Sequence, residues 1–501
     1  MTRTFNWRLV FKTLGALQLI EAGFMLLPTL ASWWYGDPDV REWLISSAAA
    51  WIGGLLGLLF GRRAERKVGE REGYVIVAMV WIVFSFFGTL PFYLSGALTS
   101  IADCWFETMA GFTTTGASVI PDVEIMTHGI LLWRSLMQWI GGMGIIVLSV
   151  AILPMFGLGG MQLYAAEVTG VSYEKLSPRI ADTAKHMWLT YVLLTLTEGG
   201  LLYLFGMSGF DSLCHSLSTI STGGFSTRNT SVINDGPAIQ WTIAIFMFLS
   251  GINFTQIIYL FRGQPPRLTH DEETRWYGGA VLICTLALAT GLFIHYGWHE
   301  PFWGDLDTVE KYLWQAERAL RKSFFMVNSA MTSTGFAASD YMNWPKLFWV
   351  MVFFMMFTGG ASGSTAGGIK WVRIGIFAKS ALTELKRRIH PNAVIPVRFN
   401  GQAVSEQTTS NVMAFMFFYI GIIVITVLIF CASGVEFDEA IGTAVSGIGN
   451  VGVSIGQFGP SGGTYADFPT VAKWTMTAVM LIGRLEIFTI LLLFTKVLWK
   501  K

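Results

Sequence analysis

Charged residues are scarce in this chain: Asp, Glu, Lys and Arg make up 13% of its 501 residues, against about 25% in a soluble domain. With so few hydrated groups to cover a surface, the chain reads as an integral membrane protein. The charges also nearly cancel, 34 basic against 33 acidic, which removes any electrostatic case for a nucleic-acid partner. The four cysteines, Cys104, Cys214, Cys284 and Cys431, show no CxxC spacing. They signal neither a metal site nor a disulfide and read as small packed hydrophobes. Seven histidines include no HExxH pattern, and no nucleophile stands beside a base, so nothing supports an enzyme or a bound cofactor.

What abounds is apolar sequence, 53% of the chain, together with 54 glycines. A helix needs about 20 apolar residues to cross a bilayer, and ten stretches qualify: 8–32, 43–61, 74–98, 129–155, 184–207, 237–261, 276–297, 345–370, 409–433 and 470–498. The start of the chain is a short basic segment running into the first stretch without a small-residue cleavage site, so that helix is expected to stay as an anchor. Placing both ends in the cytoplasm puts 24 of the 34 Lys and Arg in inside segments, eight in outside loops, and Arg134 and Arg484 within helices. The positive-inside rule favours that orientation.

Between the spans lie four semi-polar stretches, each too short to cross: Asp103 to Thr113, Asp211 to Ile220, Ser323 to Thr332 and Asp438 to Gly449. Each runs into a small-residue cluster: Thr114-Thr115-Gly116, Ser221-Thr222-Gly223, Ser333-Thr334-Gly335 and Asn450-Val451-Gly452. The four glycines are spaced by 107, 112 and 117 residues, which is an internal repeat of helix, half-helix, turn and helix. The expected fold is all-α: repeats over 70–160, 180–264, 274–380 and 405–501 around one pore, preceded by two extra helices over 1–62. Non-helical backbone at membrane depth must be buried in protein or face water. Four glycine-containing strands can stack carbonyls that replace the hydration shell of a monovalent cation, and the half-helix C-termini direct partial negative charge toward the axis.

A second signal interrupts the last helix of the third repeat. Gly359 to Gly368 holds five glycines in ten residues, each costing about 1 kcal/mol in a helix interior. The stretch, with Gly359, Gly360, Gly363, Ser364, Thr365, Gly367, Gly368 and Lys370, reads either as a movable loop gating the path below the filter or as a tight helix crossing. It lacks the GxxxxGK[ST] pattern of a phosphate cradle. Arg484, at the depth of the last helix, either faces the path and pairs with that loop or pairs internally with Glu486. Arg134 reads as a snorkelling or an anchoring residue. Glu107 and Asp211 either attract cations or cap half-helices, while Glu21, Glu198, Asn253 and His215 read as structural. Lys379, Lys386, Arg387, Arg388 and Arg398 could meet an acidic protein face, anionic lipid, or serve topology alone.

These residues resemble the Trk/Ktr/HKT superfamily of cation transporters over nearly the whole chain. The resemblance rests on Phe112 to Ala117, Trp133-Arg134-Ser135-Leu136, Gln138 to Gly144, Ser221 to Ser226, Gly359 to Lys370 and Gly483 to Glu486. The two leading helices make it TrkH-like rather than KtrB-like. The resemblance implies a potassium uptake protein of the bacterial inner membrane, a homodimer gated by a cytosolic ring of nucleotide-binding regulatory subunits. It assigns Gly116, Gly223, Gly335 and Gly452, with the two residues before each, to potassium sites, the loop to the gate, and Arg484 to the last pore helix. Gly116, where sodium-preferring plant relatives carry serine, points to potassium. Asn450-Val451-Gly452 departs from the Thr-rich pattern of the other strands, so discrimination looser than in a symmetric channel is expected. Coupled secondary transport of potassium or another small cation is the alternative, although inverted repeats are commoner there.

Overall fold

The computed structural model describes residues 5–64, 69–144, 180–261, 263, 269–299, 308–459 and 463–499. The expected basic segments around 65–68, 175–179 and 264–268, and the stretch 145–155 of the fourth expected span, lie outside the described residues.

The described residues are mostly helical. Helices α1 (Trp7–Phe24), α2 (Leu26–Tyr35) and α3 (Val40–Phe60) come first. Gly15 of α1 lies against the backbone of Gly54 and Gly57 of α3, so close that a side chain at Gly15 would collide with it. Small residues at a helix crossing permit this approach in a bilayer. Trp43 is fully buried and sets its ring edge-on to Trp133, tying α3 to the first repeat.

The span expected for the first repeat holds α4 (Glu70–Gly88), α5 (Leu90–Leu94), the short α6 (Ile101–Phe112) and α7 (His128–Trp139). The second holds α8 (Ile180–Leu204), the short α9 (Gly209–Ile220), α10 (Pro237–Ser250) and α11 (Phe254–Phe261). The third holds α12 (Glu272–His299), α13 (Thr308–Met331), α14 (Lys346–Met355) and α15 (Trp371–Ile389). A two-stranded hairpin follows, β1 (Arg398–Phe399) with β2 (Gln402–Ala403). The fourth repeat holds α16 (Glu406–Ala432), the short α17 (Phe437–Gly449), α18 (Thr470–Arg484), α19 (Phe488–Leu493) and α20 (Lys496–Trp499).

Among the described residues six helices, or helix runs, are long and apolar enough to cross a membrane unaided, and the bent pair α10 and α11 makes seven. Only 28% of the most apolar window is buried in α3, α12 and α16, and large side chains such as Phe60, Ile283 and Phe417 are exposed. An apolar surface of this extent belongs against lipid.

Two expectations change in detail. The third half-helix is the end of a 24-residue helix, α13, whose polar leading turns extend it well before Ser323. The last helices of the repeats are also interrupted more often than the glycine-rich loop alone implied. α7 runs into a π-helical turn at Ile140–Gly144, α10 and α11 meet at 108°, and α18 stops at Arg484, after which Glu486 and Ile487 take positive φ.

Three of the four expected repeats are joined to the next in the same way. The last helix of one repeat packs on the short helix of the next: α7 on α9, α10 on α13, and α18 back onto α6. That closure brings the four strands following the short helices to one place.

Candidate functional site

Each short helix, and α13 with them, ends in the same backbone device. The second residue past the helix, or the first after α17, is left-handed: Thr114 (φ 52°), Thr222 (55°), Ser333 (54°) and Asn450 (55°). The next residue's N–H reaches back five residues, Thr115 to Ala110 (2.9 Å), Gly223 to Ser218 (2.8 Å), Thr334 to Ser329 (2.9 Å) and Val451 to Ser446 (2.9 Å). This is the Schellman way of ending a helix. Here the left-handed position carries Thr, Ser or Asn instead of glycine, at a cost of roughly 1–2 kcal/mol each. The third residue is a left-handed glycine: Gly116 (φ 75°), Gly224 (77°), Gly335 (81°) and Gly452 (92°).

The register of the second repeat is therefore one residue later than the sequence spacing indicated. Ser221-Thr222-Gly223 is the serine still bonded to the helix plus the first two strand positions, and the residue matching Gly116 is Gly224. Two adjacent glycines made the choice invisible in the sequence, and the backbone turn resolves it. In the other three the left-handed glycine is the last residue of the triplet, Gly116, Gly335 and Gly452.

A Cβ on Gly116 would overlap the carbonyl oxygen of Gly223, one on Gly224 that of Thr334, one on Gly335 that of Val451, and one on Gly452 that of Thr115. Each repeat's glycine thus lies against the middle carbonyl of the next repeat, and the fourth closes on the first. The strands are buried except at Gly116, Gly224 and Gly335, which are half-buried. Gly116, Gly224, Gly335 and Val453 line one cavity of about 110 Å³, so backbone of all four repeats meets a single polar space.

Side chains fix this ring from behind. Gln138 of α7 donates to the Gly223 carbonyl (2.7 Å) and accepts from Phe225 N–H (3.1 Å). The Asn450 amide donates to Thr115 Oγ1 and to the Met480 carbonyl, both at 2.9 Å, joining the fourth repeat to the first. Tyr465 donates to the Gly452 carbonyl at 3.1 Å. The sequence quoted Gln138 within a motif without giving it a role, and Tyr465 carried no signal.

Arg134 is only 2% exposed, so it does not snorkel. Its Nε donates to Glu107 Oε1 at 2.8 Å, its other nitrogens reach the Ser226 carbonyl and Ser118 Oγ, and its guanidinium lies over Phe225. Glu107 also accepts from Val119 N–H at 2.9 Å. The pair neither caps a helix nor faces the cavity with free charge; it staples the strands leaving the first two turns. Asp211 starts α9 and accepts from Thr227 (2.6 Å) and Arg228 (3.2 Å), and Arg228 also donates to Asp235. Burial alone pushes the Asp211 carboxyl up, but the Thr227 hydrogen bond and neighbouring positive charge hold it below its ordinary value. His215 spans the Asp211 carbonyl and Ser226 and is structural. Asn253 caps α11 through Thr255. Glu21 and Glu198 are fully buried, beside Gln18 and Thr219 respectively.

The glycine-rich stretch leaves helical geometry from Gly359 to Lys370 and sits directly against the ring. Gly367 N–H donates to Ser333 Oγ (2.6 Å), and a Cβ on Gly367 would overlap the Gly449 carbonyl. Thr365 Oγ1 donates to the Ile220 carbonyl (3.0 Å) at the end of α9. Ala361 N–H and the Gly363 carbonyl bond Gly251 and Phe254 at the α10–α11 break. Gly359 and Ile369 pair across the loop's base, Gly360 lies against the Gly251 carbonyl and Gly368 takes φ 64°. Lys370 donates to the Ala366 carbonyl, and Ser364 N–H bonds Ala361.

Arg484 joins this loop to the first repeat. Its guanidinium donates to the Thr365 carbonyl (2.8 Å) and to the carbonyls of Gly141 (2.7 Å) and Gly142 (2.8 Å) in the π-helical turn. The nearby Glu486 pairs with Arg373. The loop thereby touches the second, third and fourth repeats directly and is tied to the first through Arg484.

The TrkH family, described as cation transport protein, matches residues 48–501. The Trk system potassium uptake protein TrkH of Salmonella typhimurium is 37% identical over 99% of this chain and 100% of its own. Its Escherichia coli K12 counterpart is 36% identical with the same coverage. The crystal structure of the potassium transporter TrkH from Vibrio parahaemolyticus superposes with a TM-score of 0.86 at 31% identity, covering 99% of this chain and 100% of that one.

Proposed function

Because the chain belongs to the TrkH family of cation transport proteins, we infer that it takes up potassium across a membrane, and we propose that the ring of four strands is its selectivity filter. The observation that carries this is the cyclic approach of Gly116, Gly224, Gly335 and Gly452 to the middle carbonyls of neighbouring repeats around one cavity. Backbone oxygens held this way can replace the water of a dehydrated monovalent cation, with no side-chain charge to bind it too tightly for release. The potassium-lining residues are Thr114 to Gly116, Thr222 to Gly224, Ser333 to Gly335 and Asn450 to Gly452. Ten crossings in four parallel repeats, with both termini cytoplasmic in a bacterial inner membrane, complete the topology.

The glycine-rich loop is the gate. It hydrogen-bonds the filter at Ser333 and is held by Arg484, so ions leaving the ring meet it before any other segment. A permeation gate needs two arrangements of similar energy, and glycines supply the backbone freedom for the second. The partners that fit this architecture are a second copy of the chain, membrane lipid and a cytosolic ring that binds nucleotides.

The test is cation entry into proteoliposomes under a negative-inside potential, with Gly116→Ser as the variant. Potassium preference over sodium should fall in Gly116→Ser, because its side chain meets the Gly223 carbonyl. An unchanged preference would remove the ring from the filter role.

A further inference from the structure

The gating loop is held from a second side, by a residue that no reading of the filter or gate requires. Glu273, in the first turn of α12, is 7% exposed. Its Oε1 accepts from Ser362 N–H at 2.7 Å and from Val372 N–H at 3.0 Å. Ser362 lies inside the loop and Val372 just beyond it, so one carboxylate oxygen fastens the loop to the helix that resumes the chain. Charge-assisted bonds to a buried carboxylate are strong, and leaving both amides unmatched is costly.

The two residues before Glu273 reach the other way. Glu272 accepts from Asn400 N–H (2.8 Å), donates its own N–H to Asn400 Oδ1 (2.7 Å), and pairs with Lys379. Asp271 accepts from the Asn400 amide at 2.9 Å. Asn400 and Gly401 are the two left-handed residues of the β1–β2 turn (φ 50° and 74°), the geometry of a tight two-residue hairpin. The hairpin is thus keyed to Asp271-Glu272, and the adjacent Glu273 is keyed to the loop. A cavity of about 750 Å³ lies between them, bordered by Glu273, Ser362, Val372, Asn253 and Asn400. Among the described residues, the loop's flank on this side borders that cavity, which gives it room to swing once released.

We propose that Glu273 is the positioning residue that latches the glycine-rich loop in its blocking place, and that the hairpin at Asn400 sets the latch. The proposal rests on the loop being the gate. Arg484 fixes the apex of the loop and Glu273 its flank, so movement of the hairpin reaches the loop through three consecutive residues.

The experiment measures potassium, rubidium, sodium and lithium entry into proteoliposomes for the full chain, Glu273→Ala, Glu273→Gln, Asn400→Ala and a loop-shortened form lacking 361–366. Glu273→Ala should raise basal potassium flux by on the order of tenfold, the effect of removing an acceptor shared by two donors from one state of a two-state loop. Glu273→Gln keeps an acceptor oxygen and should stay close to the parent. The ratios among the four ions should not move in either variant, whereas a merely damaged protein would leak without preference. Should Glu273→Ala fail to fold, Asn400→Ala carries the same prediction of raised flux with the ratios kept. Flux in both equal to the parent, while the shortened loop conducts faster, would overturn the latch and leave the gate. No rise in any of the three would overturn the gate and the latch together.

Discussion

At Gly224 one methyl group decides the register of the second strand. A Cβ there would overlap the Thr334 carbonyl at a left-handed φ, whereas at Gly223 it would meet the flexible side chain of Gln138. Gly224→Ala should therefore reduce potassium flux by about tenfold or more, and Gly223→Ala by much less, since strain against backbone is harder to relieve than a side-chain shift. Equal losses in proteoliposome flux would favour the earlier register. The sequence could not show this because both residues are glycine and only the turn tells them apart. Nor could it pair Arg134 with Glu107, 27 residues away on another helix. Removing one partner of such a buried pair typically costs about 3–5 kcal/mol, so Arg134→Ala should sharply lower the unfolding temperature in detergent. A drop no larger than that of a surface substitution would deny the staple. Asp211 gives a milder acid sensitivity. Its carboxyl is lowered in the folded protein, so its contribution is complete above its ordinary value near 4 and is lost as pH falls through the lowered one. Asp211→Asn should flatten the loss of stability with acid in that window, and a curve identical to the parent's would show that the brace carries no weight.

Among the elements, the loop and the helix breaks show where sequence patterns succeed and fail. Five glycines between Gly359 and Gly368 announce a break, since no helix carries that composition without loss. The breaks at Ile140–Gly144 and between α10 and α11 were hidden, because the chain stays apolar straight through them and hydropathy does not distinguish a bent span from a straight one. Their consequence is functional, for the freed carbonyls of Gly141 and Gly142 are what Arg484 grips. Arg484 was legible as a costly charge at membrane depth, but its partners are backbone oxygens, which no residue pattern encodes. Arg484→Ala should release the loop apex and raise potassium flux several-fold, roughly the effect of losing charge-assisted bonds worth about 1–2 kcal/mol in net terms. Flux at or below the parent's in a folded Arg484→Ala protein would mean the arginine does not hold the gate shut.

In the whole molecule, four unequal strands close into one ring, and three of the helices leading into them, α6, α9 and α13, are packed by the last helix of a neighbouring segment. The period was readable from the glycine spacing, since a left-handed third residue demands glycine in every copy. The packing of one segment on the next was not, because it depends on contacts between helices far apart in the sequence, α18 with α6 most of all. Asn450 cross-links the fourth strand to the first, so on the proposed filter reading the uneven strands would discriminate potassium as a unit rather than one by one. The most direct measurement is entry of potassium, rubidium, sodium and lithium into proteoliposomes through the loop-shortened chain, with and without Gly116→Ser. The ring predicts fast potassium and rubidium entry well ahead of sodium and lithium, and a collapse of that difference in Gly116→Ser. Entry that ignores ion identity, or a preference that survives the substitution, would contradict a filter made by these four strands.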